Sequence, residues 1–177
     1  MALYFVERTY AIFTSQDLLH WELLQKFDLP GDDECPDLYP LTADDGRTLW
    51  VYSGAHDMYF VGDFDENGLY QPIQSVGQLS YNSQSYAAQT YYYEPGKPVI
   101  RFAWNRSDIP GAPFNGSMCT PTEMTLKKHG DRYYLSALPI KSTENLVVKS
   151  DKLDDFTLTH CTHELGSKTC RISFTVK

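Results

Sequence analysis

The chain has 177 residues, a formal net charge of -8, and 42% hydrophobic and 21% charged residues, the proportions of one globular domain with at most a small appendage. An acidic chain with no run of Lys and Arg excludes a nucleic-acid partner, because phosphate binding needs clustered cations. No apolar stretch approaches the roughly 18 residues of a spanning helix, which excludes a membrane span. Residues 1–8 have neither a basic leader nor a long apolar core; they are not read as a secretory signal, and the compartment stays open, with the cytoplasm slightly favoured.

Taken in chain order, the segments read as strands. The 13 Tyr, 9 Phe and 3 Trp suit a pleated, half-buried surface. Residues 2–6 and 10–15 are short apolar-rich runs separated by Glu7, Arg8 and Thr9. Residues 15–19 are the best helical candidate, about one turn long. A run at 21–27 ends at the breakers Pro30, Gly31, Asp32 and Asp33. Residues 49–55 and 58–63 flank Ala55, His56 and Asp57 as a hairpin, and Asp65, Glu66, Asn67 and Gly68 form the next turn. Residues 79–89 are polar and poor in pattern. Further runs fall at 86–93, 98–104, 122–128 and 132–138, with turns at 94–97 and 129–131. Between them, 105–116 is a long loop with Pro110, Gly111 and Pro113, of a length often tied to function. After Ile140 the composition changes: 141–145 reads as a linker and 146–149, 156–159 and 169–176 as three further strands, too few for a core of their own. The fold class is all-β. Two four-strand groups begin near Glu34 and Tyr86, about 50 residues apart, close to the period of propeller blades; a sandwich fits this evidence equally well.

Cys35, Cys119, Cys161 and Cys170 are scattered without a CxxC pair and read as small buried hydrophobes. Cys161 and Cys170 lie near His160 and His163, but the spacing matches no zinc pattern. No metal and no cofactor is expected.

The most informative stretch is Glu34-Cys35-Pro36-Asp37-Leu38-Tyr39. A carboxylate stands at the mouth of a strand, after a turn and beside a proline that fixes the backbone. That suits a general acid at a pocket rim, though on spacing alone an exposed loop glutamate beside a strand-starting proline is the simpler reading. Asp37, three residues on, falls on the opposite face of a strand and reads as structural or as a group that holds the motif. Tyr86 and Gln89 either line the rim or pack inside. Asp17 and Trp21 read as fixing a turn and filling a gap between blades.

The stretch Glu34–Leu38 resembles the acid/base motif of glycoside hydrolase family 32, the invertase, levanase and inulinase group. Other landmarks follow in the family's order. Ser15-Gln16-Asp17-Leu18-Leu19-His20-Trp21 resembles its Ser-x-Asp-Leu-x-x-Trp turn, and Tyr59-Phe60-Val61-Gly62-Asp63-Phe64 its Tyr-x-Val-Gly-x-Phe strand. Tyr86-Ala87-Ala88-Gln89-Thr90 resembles the strand that opens the last blade. Pro113-Phe114-Asn115, Met118, Pro121 and Glu123-Met124-Thr125-Leu126 resemble a levanase-like pattern. The resemblance covers most of residues 10–140.

It implies a five-bladed β-propeller followed by a β-sandwich, and retaining cleavage of β-fructosyl bonds in an axial funnel. Residues 1–140 would be a partial propeller of about two and a half blades, and 141–177 a linker with the first sandwich strands. Glu34 would be the general acid/base. Trp104 would be an aromatic sugar platform, or else a core residue between blades. Tyr86, Gln89 and Asp37 would be substrate-binding, and the partner a fructose-containing saccharide. The family's nucleophile motif, Trp-x-Asn-Asp-Pro-Asn, and its Arg-Asp-Pro motif have no counterpart in these 177 residues, and Ser80-Tyr81-Asn82 stands where Asp-Tyr-Gly is usual. Asp32 and Asp33 share a turn with Glu34 and do not serve as the opposing nucleophile.

Three expectations follow: an inactive part of a fructosidase, a carbohydrate-binding remnant, or an assembly module completed by missing blades or a second copy. Open blade faces beside Leu3, Phe5, Tyr10 and Ile12, and beside Met124, Leu126, Tyr133 and Leu135, would drive homo-oligomer formation.

Overall fold

A computed structural model describes residues 9–92, 96–154 and 171–175, together with the backbone of residues 2–6. The chain divides into two compact units, Met1–Glu144 and Asn145–Lys177. In the first, β1 (Ala2–Val6), β2 (Thr9–Thr14) and β3 (Glu22–Phe27) form an antiparallel sheet in that order. β4 (Asp37–Thr42), β5 (Thr48–Ser53), β6 (Met58–Phe64) and β7 (Tyr70–Pro72) form a second, with β8 (Gly77–Gln78) also on β6. The third is β9 (Ser85–Tyr91), β10 (Val99–Asn105), β11 (Ser117–Met118), β12 (Thr122–His129) and β13 (Arg132–Pro139).

The middle sheet is buried on both faces, and its alternation shows how. Leu49 and Val51 of β5 enter one core with Val99, Met124 and Leu126 of the third sheet. Trp50 and Tyr52, the residues between and after them, face a second core with Tyr10, Ile12 and Leu29 from the first sheet and the turn after it. A strand covered on both faces needs no polar face, so the run 48–53 is apolar almost throughout. Backbone contact joins the second and third sheets where Ala43 bridges Leu126 in parallel fashion.

Glutamine side chains span both seams. Gln25 Nε2 donates to the Tyr70 carbonyl at 2.9 Å and its Oε1 accepts the Tyr70 amide at 2.8 Å. Gln74 repeats this on Tyr133, donating to the carbonyl and accepting the amide, both at 2.8 Å. Each amide takes the place of a neighbouring strand at an outer position.

The all-β expectation holds for the described residues, with five corrections. Residues 15–19 form no helix: Ser15 Oγ and Asp17 Oδ1 accept the amides of residues 17–20, and Leu18 has φ 64°. These are capping side chains that close a tight turn on themselves instead of opening a helix. Trp21 fills no buried gap; it is 38% exposed and donates from Nε1 to the Leu18 carbonyl. Lys141–Leu146 is a 3-10 helix, and 147–154 and 171–175 form no strand, so the strand expected at 146–149 is absent. Its residues find no strand partner, without which a strand has no ladder. The expectation at 156–159 and the ends of 169–176 lie outside the described residues.

The fourth correction concerns the open faces. Met124, Leu126, Tyr133 and Leu135 are buried against Tyr39, Leu41 and Tyr59, and Tyr10 and Ile12 are equally enclosed. These side chains take the inward face of their strands, while Tyr91, Tyr134 and Leu138 take the outer one. The side chains of Leu3 and Phe5 lie outside the described residues. Cys35 and Cys119 are free thiols, half-buried rather than enclosed; Cys161, Cys170, His160 and His163 also lie outside the described residues.

Candidate active site

Glu34 sits between the first and second sheets' connecting turn and β4, at the mouth of that strand. Its side chain is exposed, but its backbone is fixed: the carbonyl accepts the buried Tyr10 hydroxyl at 2.8 Å and the Ala55 amide at 2.9 Å. Cys35 follows with φ 49°, a left-handed conformation that turns the chain sharply before Pro36. Burial, and then the neighbouring charges of Glu34 and Asp32, push the Cys35 thiol above its usual range.

Tyr86 reaches Glu34 from the third sheet, its hydroxyl donating to Glu34 Oε2. A bulge makes this possible. The β9–β10 register slips between Phe102 and Trp104, and Ala87 takes φ 52°, with its amide turned to the Ala55 carbonyl at 3.0 Å. Such an extra residue re-aims its neighbours, and Tyr86 comes to lie opposite Trp104 with ring centroids 6.4 Å apart. The Arg106 guanidinium lies 4.1 Å from the Tyr86 centroid, and the His56 ring meets it edge-on at 4.9 Å. The bond to Glu34, with burial second, holds the Tyr86 phenol up at about 12.

Trp104 is 48% exposed. Gly116 closes on it: a Cβ there would stand 2.6 Å from Trp104 Nε1. Gln89 is exposed, with Nε2 3.3 Å from the Cys35 carbonyl. The Asp37 carboxylate accepts the Thr90 amide at 2.6 Å and the Leu38 amide at 2.9 Å, tying β4 to β9. Burial raises its pKa and these amides pull it back. The fold therefore gathers Glu34, Tyr86 and Trp104, with Gln89 and Asp37 along the same β4–β9 seam.

Sequence reasoning passed over His56, Arg106 and the role of Asp32. His56 lies in what reads as a plain hairpin turn, and its partner Asp32 is 24 residues away. The same backbone carries a second group of polar side chains. Ser85 and Asp57, each next in the chain to Tyr86 and His56, turn instead to the buried Arg101, whose Nη2 lies 2.5 Å from Asp57 and 2.9 Å from Ser85. Arg101, Ser80, Asn82 and Ser136 help to line a groove of about 400 Å³ there. Among the described residues no group of His, Cys, Asp or Glu gathers to hold a metal.

Residues 6–137 match the family model for the glycosyl hydrolases family 32 N-terminal domain. The chain belongs to glycoside hydrolase family 32. The match contains Glu34, Asp37, Tyr86, Gln89 and Trp104. The levanbiose-producing levanase of Bacillus subtilis is 26% identical over 91% of this chain and 34% of its own length. The fructan beta-fructosidase of Streptococcus mutans is 28% identical over 76% of this chain and 11% of its own. The exo-inulinase structure from Aspergillus awamori overlays with a TM-score of 0.66 at 24% identity, covering 78% of this chain and 32% of that one, which establishes the likeness of fold. This chain thus spans less than half the length of these family 32 relatives.

Proposed function

We propose that this chain supplies the acid/base wall of a retaining β-fructosidase acting on the terminal fructosyl bonds of sucrose, levan or inulin. The observation that carries the reading is the Tyr86–Glu34 contact at an exposed strand mouth beside an exposed Trp104. Tyr86 occupies Oε2, so Oε1 is the oxygen left to deliver a proton to the leaving group. Trp104 offers an apolar face to a sugar ring, and Gln89 and Asp37 are read as lining or supporting the same site. The second carboxylate, about 5–5.5 Å away in a retaining enzyme, is supplied by sequence beyond these residues or by another chain. In this reading the three sheets are about two and a half blades of a five-bladed propeller, and the remaining blades or a second copy complete the funnel.

The test is to co-express the chain with blades of a levanase that carry the nucleophile motif and to measure fructose release from sucrose or levan. Glu34→Gln keeps the shape and removes the acid, so release should fall by about 10²–10⁴-fold. Undiminished turnover in that variant would overturn the assignment. Saccharide binding that quenches Trp104 fluorescence with no hydrolysis would favour the non-catalytic binding reading instead.

A further inference from the structure

We propose that Asp32 and His56 form a brace that holds Tyr86 on Glu34, with His56 as the positioning residue and Asp32 as its buried anchor. The proposal rests on the reading of Glu34 as the acid and deepens it. The Asp32 side chain has no exposure at all. Its Oδ2 accepts the His56 amide at 2.6 Å, and its Oδ1 lies 3.1 Å from His56 Nδ1 and 3.1 Å from the Asp33 amide. The Tyr10 hydroxyl adds a longer contact at 3.5 Å. A carboxylate can only accept, so in this pair Nδ1 carries the proton. One carboxylate thereby grips both the backbone and the ring of the same histidine, and two such bonds fix the ring plane.

Gly54 shows how closely the parts are set. A Cβ there would stand 2.4 Å from both Asp32 Cγ and Tyr10 Oη. The hairpin presents bare backbone where the carboxylate must approach. The fixed His56 ring then meets Tyr86 edge-on, and Arg106 covers Tyr86 at 4.1 Å. Held by both, the phenol has little freedom to swing away from Glu34. This matters because the Glu34 backbone is pinned while its side chain is exposed and otherwise free to change rotamer.

The arrangement is not what packing alone would select. His56 is half exposed and fills no core, and burying a carboxylate away from water is unfavourable unless every lone pair is used. An apolar pair would stabilise the hairpin at least as well. What the pair adds is a fixed direction for one ring.

The test uses the full chain with 13C-labelled tyrosine rings and follows the titration of Tyr86, assigned by Tyr86→Phe. The titratable or charged groups around that ring are Glu34, Cys35, His56 and Arg106. In the native chain Tyr86 should titrate near 12. His56→Ala should lower this by roughly one pH unit or more, as the bond to Glu34 loosens, with the rest of the amide spectrum unchanged. His56→Asn keeps a donor for Asp32 but no ring, and His56→Phe keeps a ring but no donor; both should fall as well. Asp32→Asn should follow them. An unchanged titration in His56→Ala, or full rescue by His56→Phe, would overturn the brace. Loss of fructose release in the co-expression test does not alter this titration, so failure of the two ideas can be told apart.

Discussion

Gly54 has no room for a side chain. Gly54→Ala would drive its Cβ into Asp32 and Tyr10, and overpacking of this kind costs about 1–3 kcal/mol. We expect urea unfolding to show that loss. Tyr86 gives a pH dependence of definite sign. Its folded pKa, about 12, lies above the ordinary value of 10.0, so the folded chain holds the phenol proton more tightly. The stability this contributes is complete below pH 10 and is lost as pH rises toward 12. Unfolding of the native chain and of Tyr86→Phe should therefore differ most below pH 10, with the gap closing above it. A gap that widens with alkali would contradict the contact with Glu34.

At the scale of strands, the aromatic cluster between the first and second sheets carries one mismatch. Tyr52 packs edge-on against Phe27 at 4.6 Å and against Tyr10 at 5.3 Å, yet its buried hydroxyl has no hydrogen-bond partner among the described residues. An unmet buried hydroxyl costs about 1–3 kcal/mol, so Tyr52→Phe should raise the melting temperature while keeping the ring contacts. A fall would mean that the hydroxyl is satisfied. The same strands show what the sequence made legible. β5, β6, β10, β12 and β13 stand out because apolar runs alternate with strong turn residues. β4 is read from the stretch after Glu34 even though Pro40 argues against a central strand; the structure accommodates the proline because β4 ends the order of its sheet. The bulge at Ala87 left no mark, since two alanines in a row look unremarkable. Of the site, Glu34 was visible through its motif. The Asp32–His56–Tyr86 connection was not, because it joins three elements by contacts 24 and 30 or more residues apart, beyond any local period.

For the whole molecule, the enclosure of Met124, Leu126, Tyr133 and Leu135 moves the question of self-association to the outer face of the third sheet. Tyr91 and Phe102 meet there edge-on at 5.3 Å, and Tyr91, Tyr134 and Leu138 are exposed. On the propeller reading proposed above, a following blade would cover this face in a closed ring. We expect light scattering over a hundredfold dilution to show concentration-dependent association, reduced by Leu138→Lys. A monomer at every concentration would mean that these side chains need no cover.

The two glutamine clamps give the molecule a clock. Tyr70 and Tyr133 lie in outer strands, where backbone amides ordinarily trade their protons with solvent quickly. Here each amide is held by a glutamine from across a seam, Gln25 in one case and Gln74 in the other. Each proton is held until that glutamine lets go, which the parting of the neighbouring sheets would force. The deuterium uptake of these two amides thus reports, one for each seam, how firmly its glutamine clamp is held.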